Sequence, residues 1–82
     1  MMAQYILTCE HEASECEAIE REFQDLGTPE VMKGRDFFCS CPFGHHGGWV
    51  TLESESADAV LAALPPLLRS HAQVFEVATV VF

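Results

Sequence analysis

The stretch that organises the predicted fold stands in the middle of the chain and reads FFCSCPFGHHGGW, residues 37–49. It holds two of the four cysteines and two of the four histidines, so any chemistry is expected there. Pro42 interrupts backbone hydrogen bonding, and the glycines on both sides of His45 and His46 permit backbone conformations closed to other residues. We interpret the stretch as a β-hairpin that presents two imidazoles beside a Cys-x-Cys strand end.

Four segments of the chain have the character of β-strands. Residues 36–41 and 49–53 flank the turn as strands two and three, which are antiparallel if the connection is a hairpin. Residues 3–9 are apolar at nearly every position, as expected of a central first strand covered on both faces. Residues 73–82, rich in β-branched side chains, are predicted to form a long final strand.

The first helix is predicted between strands one and two. Ser14 and Glu17 match a capping box, so the helix should start near Ser14. Gly27 should end it, and Pro29 prevents its continuation. Apolar residues at spacings of three and four form its buried stripe, which comprises Cys16, Ile19, Phe23 and Leu26.

A second helix is predicted after strand three. Ser54 or Ser56 can cap its amino terminus, and Pro65-Pro66 should break or reset it, leaving residues 67–71 as an irregular or restarted turn. Its buried stripe is predicted to comprise Val60, Leu61, Leu64 and Leu68.

The resulting order of elements is strand, helix, strand, strand, helix, strand. It predicts a single α+β domain over residues 1–82, a ferredoxin-like βαββαβ sandwich with a four-stranded antiparallel sheet and both helices on one face. Strands one and three should be central, with strands two and four at the edges. Because Phe75, Val77 and Phe82 make the last strand too apolar to face water on both sides, two protomers are predicted to pack sheet against sheet.

Composition excludes several classes of partner. Thirteen acidic and four basic residues give a formal net charge of −9, which repels phosphate backbones and anionic lipid headgroups. No apolar run approaches the roughly 20 residues that span a bilayer. We therefore expect no nucleic-acid partner and no membrane partner, a cytoplasmic location, and four cysteines that are reduced thiols.

Part of the sequence resembles a known superfamily. The runs 48–54, 57–61, 64–66 and 75–77 are similar to the dimeric α+β barrel superfamily, and most similar to the carboxy-terminal half of muconolactone-isomerase-like proteins and small uncharacterised domains related to them. The resemblance covers roughly the last 35 residues and is mostly a signature of the fold. It implies a homodimer or larger ring with a pocket between sheet and helices, in a superfamily of isomerases, cofactor-free monooxygenases and metal-binding proteins.

The predicted topology brings possible metal ligands to one edge of the sheet. Strands one and two would run parallel, so the end of the first strand lies beside the hairpin. Thiolate and neutral imidazole are ligands that zinc, nickel and copper prefer. The candidate metal ligands are Cys9, His11, Cys41, His45 and His46.

Geometry restricts which of these residues can share one ion. Strands one and two would lie about 9 to 10 Å apart, twice the usual spacing, with strand three between them. Cys9 and Cys41 are therefore not expected to bind the same ion, and a longer histidine must bridge. Cys39 with Cys41 would be a separate, strained chelate. Cys16 and Cys39 are interpreted as ordinary core residues, because cysteine is among the most buried residue types.

Three functions remain open from the sequence. The leading prediction is a homodimeric binding module that takes a transition metal or a small-molecule ligand near Cys9, His11, His45 and His46. The alternative is a cofactor-free isomerase or monooxygenase-like enzyme that uses a histidine as general base in the pocket. The third is an oligomerising interaction domain without a small-molecule site.

Overall fold

A computed structural model describes residues 2–82 and shows a small α+β fold built on a four-stranded antiparallel sheet. This coarse architecture confirms the prediction from the sequence. The strands are β1 (Ala3–Glu10), β2 (Phe37–Cys39), β3 (Gly47–Ser54) and β4 (Ala72–Glu76). The helices are α1 (Cys16–Leu26), α2 (Ala57–Ala63) and α3 (Pro66–His71), with short 3₁₀ turns at Ala13–Glu15, Glu30–Met32 and Cys41–Phe43.

The order of strands in the sheet is β2-β3-β1-β4. β1 and β3 pair along their whole lengths, from Ala3 opposite Ser54 to Glu10 opposite Gly47. Because β1 and β2 are both antiparallel to β3, they run in the same direction. The end of β1, the end of β2 and the start of β3 therefore meet at one end of the sheet.

The hydrophobic core lies between the sheet and the helices. Alternate residues of β1, namely Tyr5, Leu7 and Cys9, are buried, which shows that the helices cover one face of the sheet. The largest fully buried side chains are Leu7, Leu52, Leu64, Leu68, Val50 and Val60. Burial of each contributes about 1.5–3 kcal/mol, so this layer is the main source of the fold's stability.

Strands two and four are shorter than predicted. The predicted strand 73–82 is shorter in the structure, where β4 spans Ala72–Glu76 and the Val77 N–H still donates to the Gln4 carbonyl. In the register of the two strands, residues from Thr79 onward lie beyond Ala3, where β1 begins, and have no partner on β1. The predicted strand 36–41 ends at Cys39, where the chain turns into the 3₁₀ segment Cys41–Phe43. Pro42 has no N–H to donate to a neighbouring strand, which favours this early end.

The start of the first helix also differs from the prediction. The first helical turn does not begin with a Ser14–Glu17 capping box: the Glu15 carboxylate accepts the Glu12 N–H at 3.1 Å, and the α-helix proper starts at Cys16. The second helix is capped as predicted by Ser56, whose hydroxyl accepts the Ala59 N–H at 3.0 Å.

Residues 67–71, predicted as an irregular or restarted turn, form a short helix that starts at Pro66. Proline suits this first helical position because its missing N–H has no partner inside the helix.

Across residues 2–82, every helix is too short or too polar to cross a lipid bilayer.

Candidate metal centre

Four side chains converge where the ends of β1 and β2 meet the start of β3. His11 follows β1, Cys16 opens α1, Cys41 opens the 3₁₀ turn after β2, and His46 directly precedes β3. Each can offer one ligand atom, and these four atoms all lie within 4.8 Å of one another. All four residues are partly buried. Together they could bind a transition metal.

The four atoms lie close enough together to contact one ion. Cys16 Sγ lies 3.0 Å from His46 Nδ1 and 3.1 Å from His11 Nε2, and Cys41 Sγ lies 3.5 Å from His11 Nε2. The two sulfurs are 3.9 Å apart. Bond lengths of about 2.3 Å to sulfur and about 2.0–2.1 Å to nitrogen place tetrahedral ligands about 3.8 Å (S···S) and 3.6 Å (N···S) apart. The distance between the two sulfurs and the distance from Cys41 Sγ to His11 Nε2 are near these values, and the two distances from Cys16 Sγ to the imidazoles are shorter.

Backbone hydrogen bonds hold the two halves of the centre together. The His11 N–H donates to the His46 carbonyl at 3.1 Å, which ties the end of β1 to the hairpin. On the other side of the turn, the Ser40 N–H donates to the Gly47 carbonyl at 3.0 Å. Gly44 adopts a φ of 95°, which a residue with a side chain rarely tolerates and which closes the turn between Cys41 and His46.

Cys9, one of the predicted ligands, lies next to the centre. Its side chain is buried, and its Sγ is 3.9 Å from His11 Nδ1, the nitrogen that faces away from the cluster. Burial, followed by the charges of Cys41, Glu15 and Cys39, raises the pKa of the Cys9 thiol. Metal-binding histidines commonly use their second ring nitrogen to contact a neighbouring group that fixes the ring. The sulfur of Cys9 is placed to contact His11 in this way.

His45, also predicted as a ligand, points elsewhere. Its ring stacks on Trp49 with a centroid distance of 5.7 Å, and its Nδ1 lies 3.0 Å from the Ser40 hydroxyl. Of the two adjacent histidines, the structure brings His46 into the cluster and leaves His45 exposed on the other side of the turn.

Cys39 lies at the outer side of the centre. It is exposed, contrary to the interpretation as a core residue. The hydrogen bond from the Cys41 N–H lowers the pKa of Cys39. Partial burial, the Cys41 thiol and the charges of Cys41 and Glu20 outweigh it and raise the pKa overall.

Cys16 is the member of the cluster that sequence reasoning missed. The spacing of Cys16 to Ile19 and Phe23 placed it on the apolar stripe of the helix. In the structure Cys16 lies outside the hydrophobic core, and its Sγ contacts His11 and His46 instead of core side chains. The spacing of the four residues along the sequence could have indicated that they form one cluster. His11 and Cys16 are five positions apart, and so are Cys41 and His46, in the reverse order.

Acidic groups surround the polar side of the centre. Glu10, Glu12 and Glu15 border a shallow depression that also includes His11 and His46. The pKa of the Glu15 carboxyl is lowered, mainly by the hydrogen bond from the Glu12 N–H and further by His71, whose Nε2 lies 2.7 Å from the carboxylate. This arrangement creates a negative field that favours the approach of cations.

An apolar cavity of about 410 Å³ opens on the opposite side of the centre, between α1 and the sheet. Its walls include Ile19, Phe23, Met32, Phe37 and Val50, and His11, Cys16, Cys39 and Cys41 line one end. The cavity falls within the size range of small-molecule sites, about 300–1,000 Å³.

No known family matches this chain. Comparisons with models of protein families, with curated proteins and with solved structures each returned no match. The resemblance to the dimeric α+β barrel superfamily therefore stays a prediction, and the function rests on the geometry of the site.

Proposed function

We propose that this protein is a zinc-binding module whose ion is held by His11, Cys16, Cys41 and His46. The observation that carries the proposal is the convergence of two thiols and two imidazoles from separate parts of the chain, with ligand atoms that all lie within 4.8 Å of one another. Two thiolates and two imidazoles are a ligand set that structural zinc sites commonly use, which favours zinc.

A four-ligand site of this kind is closed, and closed zinc sites stabilise folds or hold the metal rather than activate water. Zinc would join the end of β1, the start of α1 and the hairpin, in addition to the hydrogen bond from the His11 N–H to the His46 carbonyl. The thiols and imidazoles must lose their protons to bind, so zinc binding should release protons and weaken in acid.

Zinc titration of the metal-free protein tests the proposal. At a free zinc concentration 100 times the dissociation constant, binding stabilises the fold by about 2.7 kcal/mol, which raises Tm by roughly 10–20 °C for a chain of this size. Native mass spectrometry should find one zinc per chain. Cys16→Ala and Cys41→Ala should abolish both effects, because each removes one ligand.

His45→Ala serves as the matched control for these variants. It removes an imidazole next to His46 that lies outside the cluster, so it should retain the zinc-dependent rise in Tm. A wild-type protein that binds no zinc, or a His45→Ala variant that behaves like Cys16→Ala, would contradict the proposed ligand set.

The apolar cavity favours a second candidate function, a cofactor-free isomerase or monooxygenase-like enzyme. In this candidate His11, at the end of the cavity, acts as general base on a small apolar substrate. A protein without zinc affinity that is stabilised by small apolar carbonyl compounds would favour this candidate over the zinc module.

We also propose that the molecule is a homodimer with the ferredoxin-like arrangement of a dimeric α+β barrel. Phe38, Trp49, Ile6 and Phe75 project from the face of the sheet that the helices leave uncovered. Large apolar side chains on an uncovered sheet face are typical of an interface, and a second copy of the same sheet is its simplest cover.

A further inference from the structure

Two thiols of the centre, those of Cys16 and Cys41, lie beside each other. Their sulfur atoms are 3.9 Å apart, although the two residues are separated by 25 positions in the chain. Cys16 is the first residue of α1, and Cys41 is the first residue of the 3₁₀ turn after β2. The sulfurs of a disulfide lie about 2.0 Å apart, so a decrease of about 2 Å in their separation would bring them to bonding distance.

Both sulfurs also have a route to solvent. Cys16 and Cys41 are only partly buried, and both line one end of the cavity of about 410 Å³ between α1 and the sheet. A small reagent that enters this cavity reaches the two thiols together. Cys9, in contrast, is 3% exposed and lies outside the lining of the cavity.

We propose that Cys16 and Cys41 form a reversible disulfide, through which a low-molecular-weight disulfide such as glutathione disulfide expels the zinc. This inference rests on the proposed function. Cysteine binds zinc as the thiolate, and a disulfide has no thiolate left to bind the ion. Only His11 and His46 then remain of the four ligands, whereas a structural zinc site uses four. Oxidation and zinc binding therefore exclude each other.

The reaction consists of two thiol–disulfide exchanges. One of the two protein thiolates attacks a sulfur of glutathione disulfide, which forms a mixed disulfide and releases one glutathione thiolate. The other protein thiolate attacks the protein sulfur of the mixed disulfide, which closes the bond between Cys16 and Cys41 and releases the second glutathione. The two cysteines lose two electrons, glutathione disulfide gains them, and each released thiolate takes a proton from water. Zinc leaves as Zn²⁺.

A redox titration with and without zinc tests this coupling. The protein is equilibrated in mixtures of reduced and oxidised glutathione, with zinc either absent or held by a metal buffer at a free concentration 100 times the dissociation constant. Alkylation of free thiols and mass spectrometry then give the fraction of protein with a disulfide. Because zinc binds only the dithiol form, the ratio of oxidised glutathione to the square of reduced glutathione at half oxidation should rise about 100-fold.

The identity of the disulfide is established by peptide mapping. Digestion at glutamates separates Cys9 from Cys16, and without reduction it should give a cross-linked pair of peptides that contain Cys16 and Cys41. In the zinc-loaded protein, each disulfide should release one zinc ion to a chromophoric chelator, and a phosphine reductant should restore zinc binding. Cys39→Ser is the matched control, because it removes the exposed neighbouring thiol and should retain both the disulfide and its dependence on zinc.

Other outcomes overturn the proposal in distinct ways. A disulfide between Cys39 and Cys41, or loss of the disulfide in Cys39→Ser, would assign the oxidation to a different pair. A midpoint that zinc leaves unchanged, in a protein that binds zinc, would show that the two reactions do not compete. A wild-type protein that binds no zinc would overturn the proposed function itself, and zinc titration establishes this before any oxidant is added.

Discussion

At the scale of single residues, the four cysteines have different environments although all lie near the same end of the sheet. Cys16 and Cys41 point at the histidines of the centre, Cys9 is buried beneath His11, and Cys39 is exposed. Their sequence positions do not distinguish them, because depth from solvent depends on where the strands end. The distinction sets their chemistry, since burial disfavours the charged thiolate.

The buried thiol of Cys9 should make the metal-free protein sensitive to alkali. Burial raises its pKa above the ordinary value of 9.0, so in the folded state it keeps its proton at a pH where the unfolded chain has lost it. The unfolded state then binds fewer protons, and the free energy of unfolding falls as pH rises through this range. This contribution is fully present below pH 9.0 and is lost above it.

Cys9→Ala removes this titrating group. We expect the loss of stability between about pH 8 and pH 10 to be smaller in the metal-free variant than in the metal-free wild type. Urea denaturation at a series of pH values gives the slope of the unfolding free energy against pH for each protein. Parallel slopes would show that Cys9 does not contribute to the alkaline sensitivity.

At the scale of elements, a carboxylate of α1 caps the neighbouring helix α3. The Glu22 carboxylate accepts the Leu67 N–H at 2.8 Å and the Leu68 N–H at 2.9 Å, which have no partner within α3. Pro65, at the position before the helix, has no side-chain group to do this. Glu22 thereby takes the place of a local cap and holds α1, with Cys16 at its start, against α3.

Glu22→Ala should lower the free energy of unfolding by about 1–2 kcal/mol, as loss of a helix cap does, with added cost for the two N–H groups left without a partner. Asp25→Ala is the matched control, an exposed carboxylate on the same helix, and should stay within about 0.5 kcal/mol of wild type. Thermal or chemical denaturation compares them. Equal effects of the two changes would mean that the cap contributes nothing beyond surface charge.

The elements themselves were largely predictable from the sequence, and the centre only in part. Periodicity located the strands and helices because the buried residues repeat with the period of each element, as Tyr5, Leu7 and Cys9 do in β1. It could not locate the end of the last strand, because residues 77–82 keep the apolar, β-branched composition of a strand although pairing with β1 ends at Glu76. The convergence of β1 and the hairpin was predictable from topology, which brought His11, Cys41 and His46 together.

The choice between His45 and His46, and the role of Cys16, depended on information that periodicity lacks. The direction of each imidazole is set by the dihedral angles of the turn, which here aim His45 at Trp49. Cys16 satisfies the helical repeat equally well as a core residue and as a ligand. In the structure it lies in the first turn of α1, beside His11 and His46, and this position makes it a candidate ligand rather than a core residue.

At the scale of the whole molecule, the uncovered sheet face should drive association. Phe38 is 67% exposed and Phe75 is 51% exposed, and both lie on this face. A stable dimer buries about 800 Å² on each partner, which a four-stranded sheet can provide. The high net negative charge opposes association, so the interface must depend on these apolar side chains.

Phe75→Glu should convert the dimer to a monomer at micromolar concentration, because it brings like charges together across the two-fold interface. Phe43→Ser, a change at an exposed aromatic residue in the hairpin turn, should leave the dimer intact. Sedimentation velocity measures the size of each protein. A monomeric wild type in this assay would contradict packing of sheet against sheet.

The contact between Cys16 and Cys41 has a consequence for the unfolded chain. These residues are 25 positions apart, so an ion bound by both closes a loop of that length, as a disulfide would. If the ion stays bound to both thiolates when the chain unfolds, closing a loop of this size reduces the conformational entropy of the unfolded state and is worth about 3.5 kcal/mol. Unlike a disulfide, the link forms and opens with the concentration of free zinc. The lifetime of the chain against proteases would therefore follow the supply of metal.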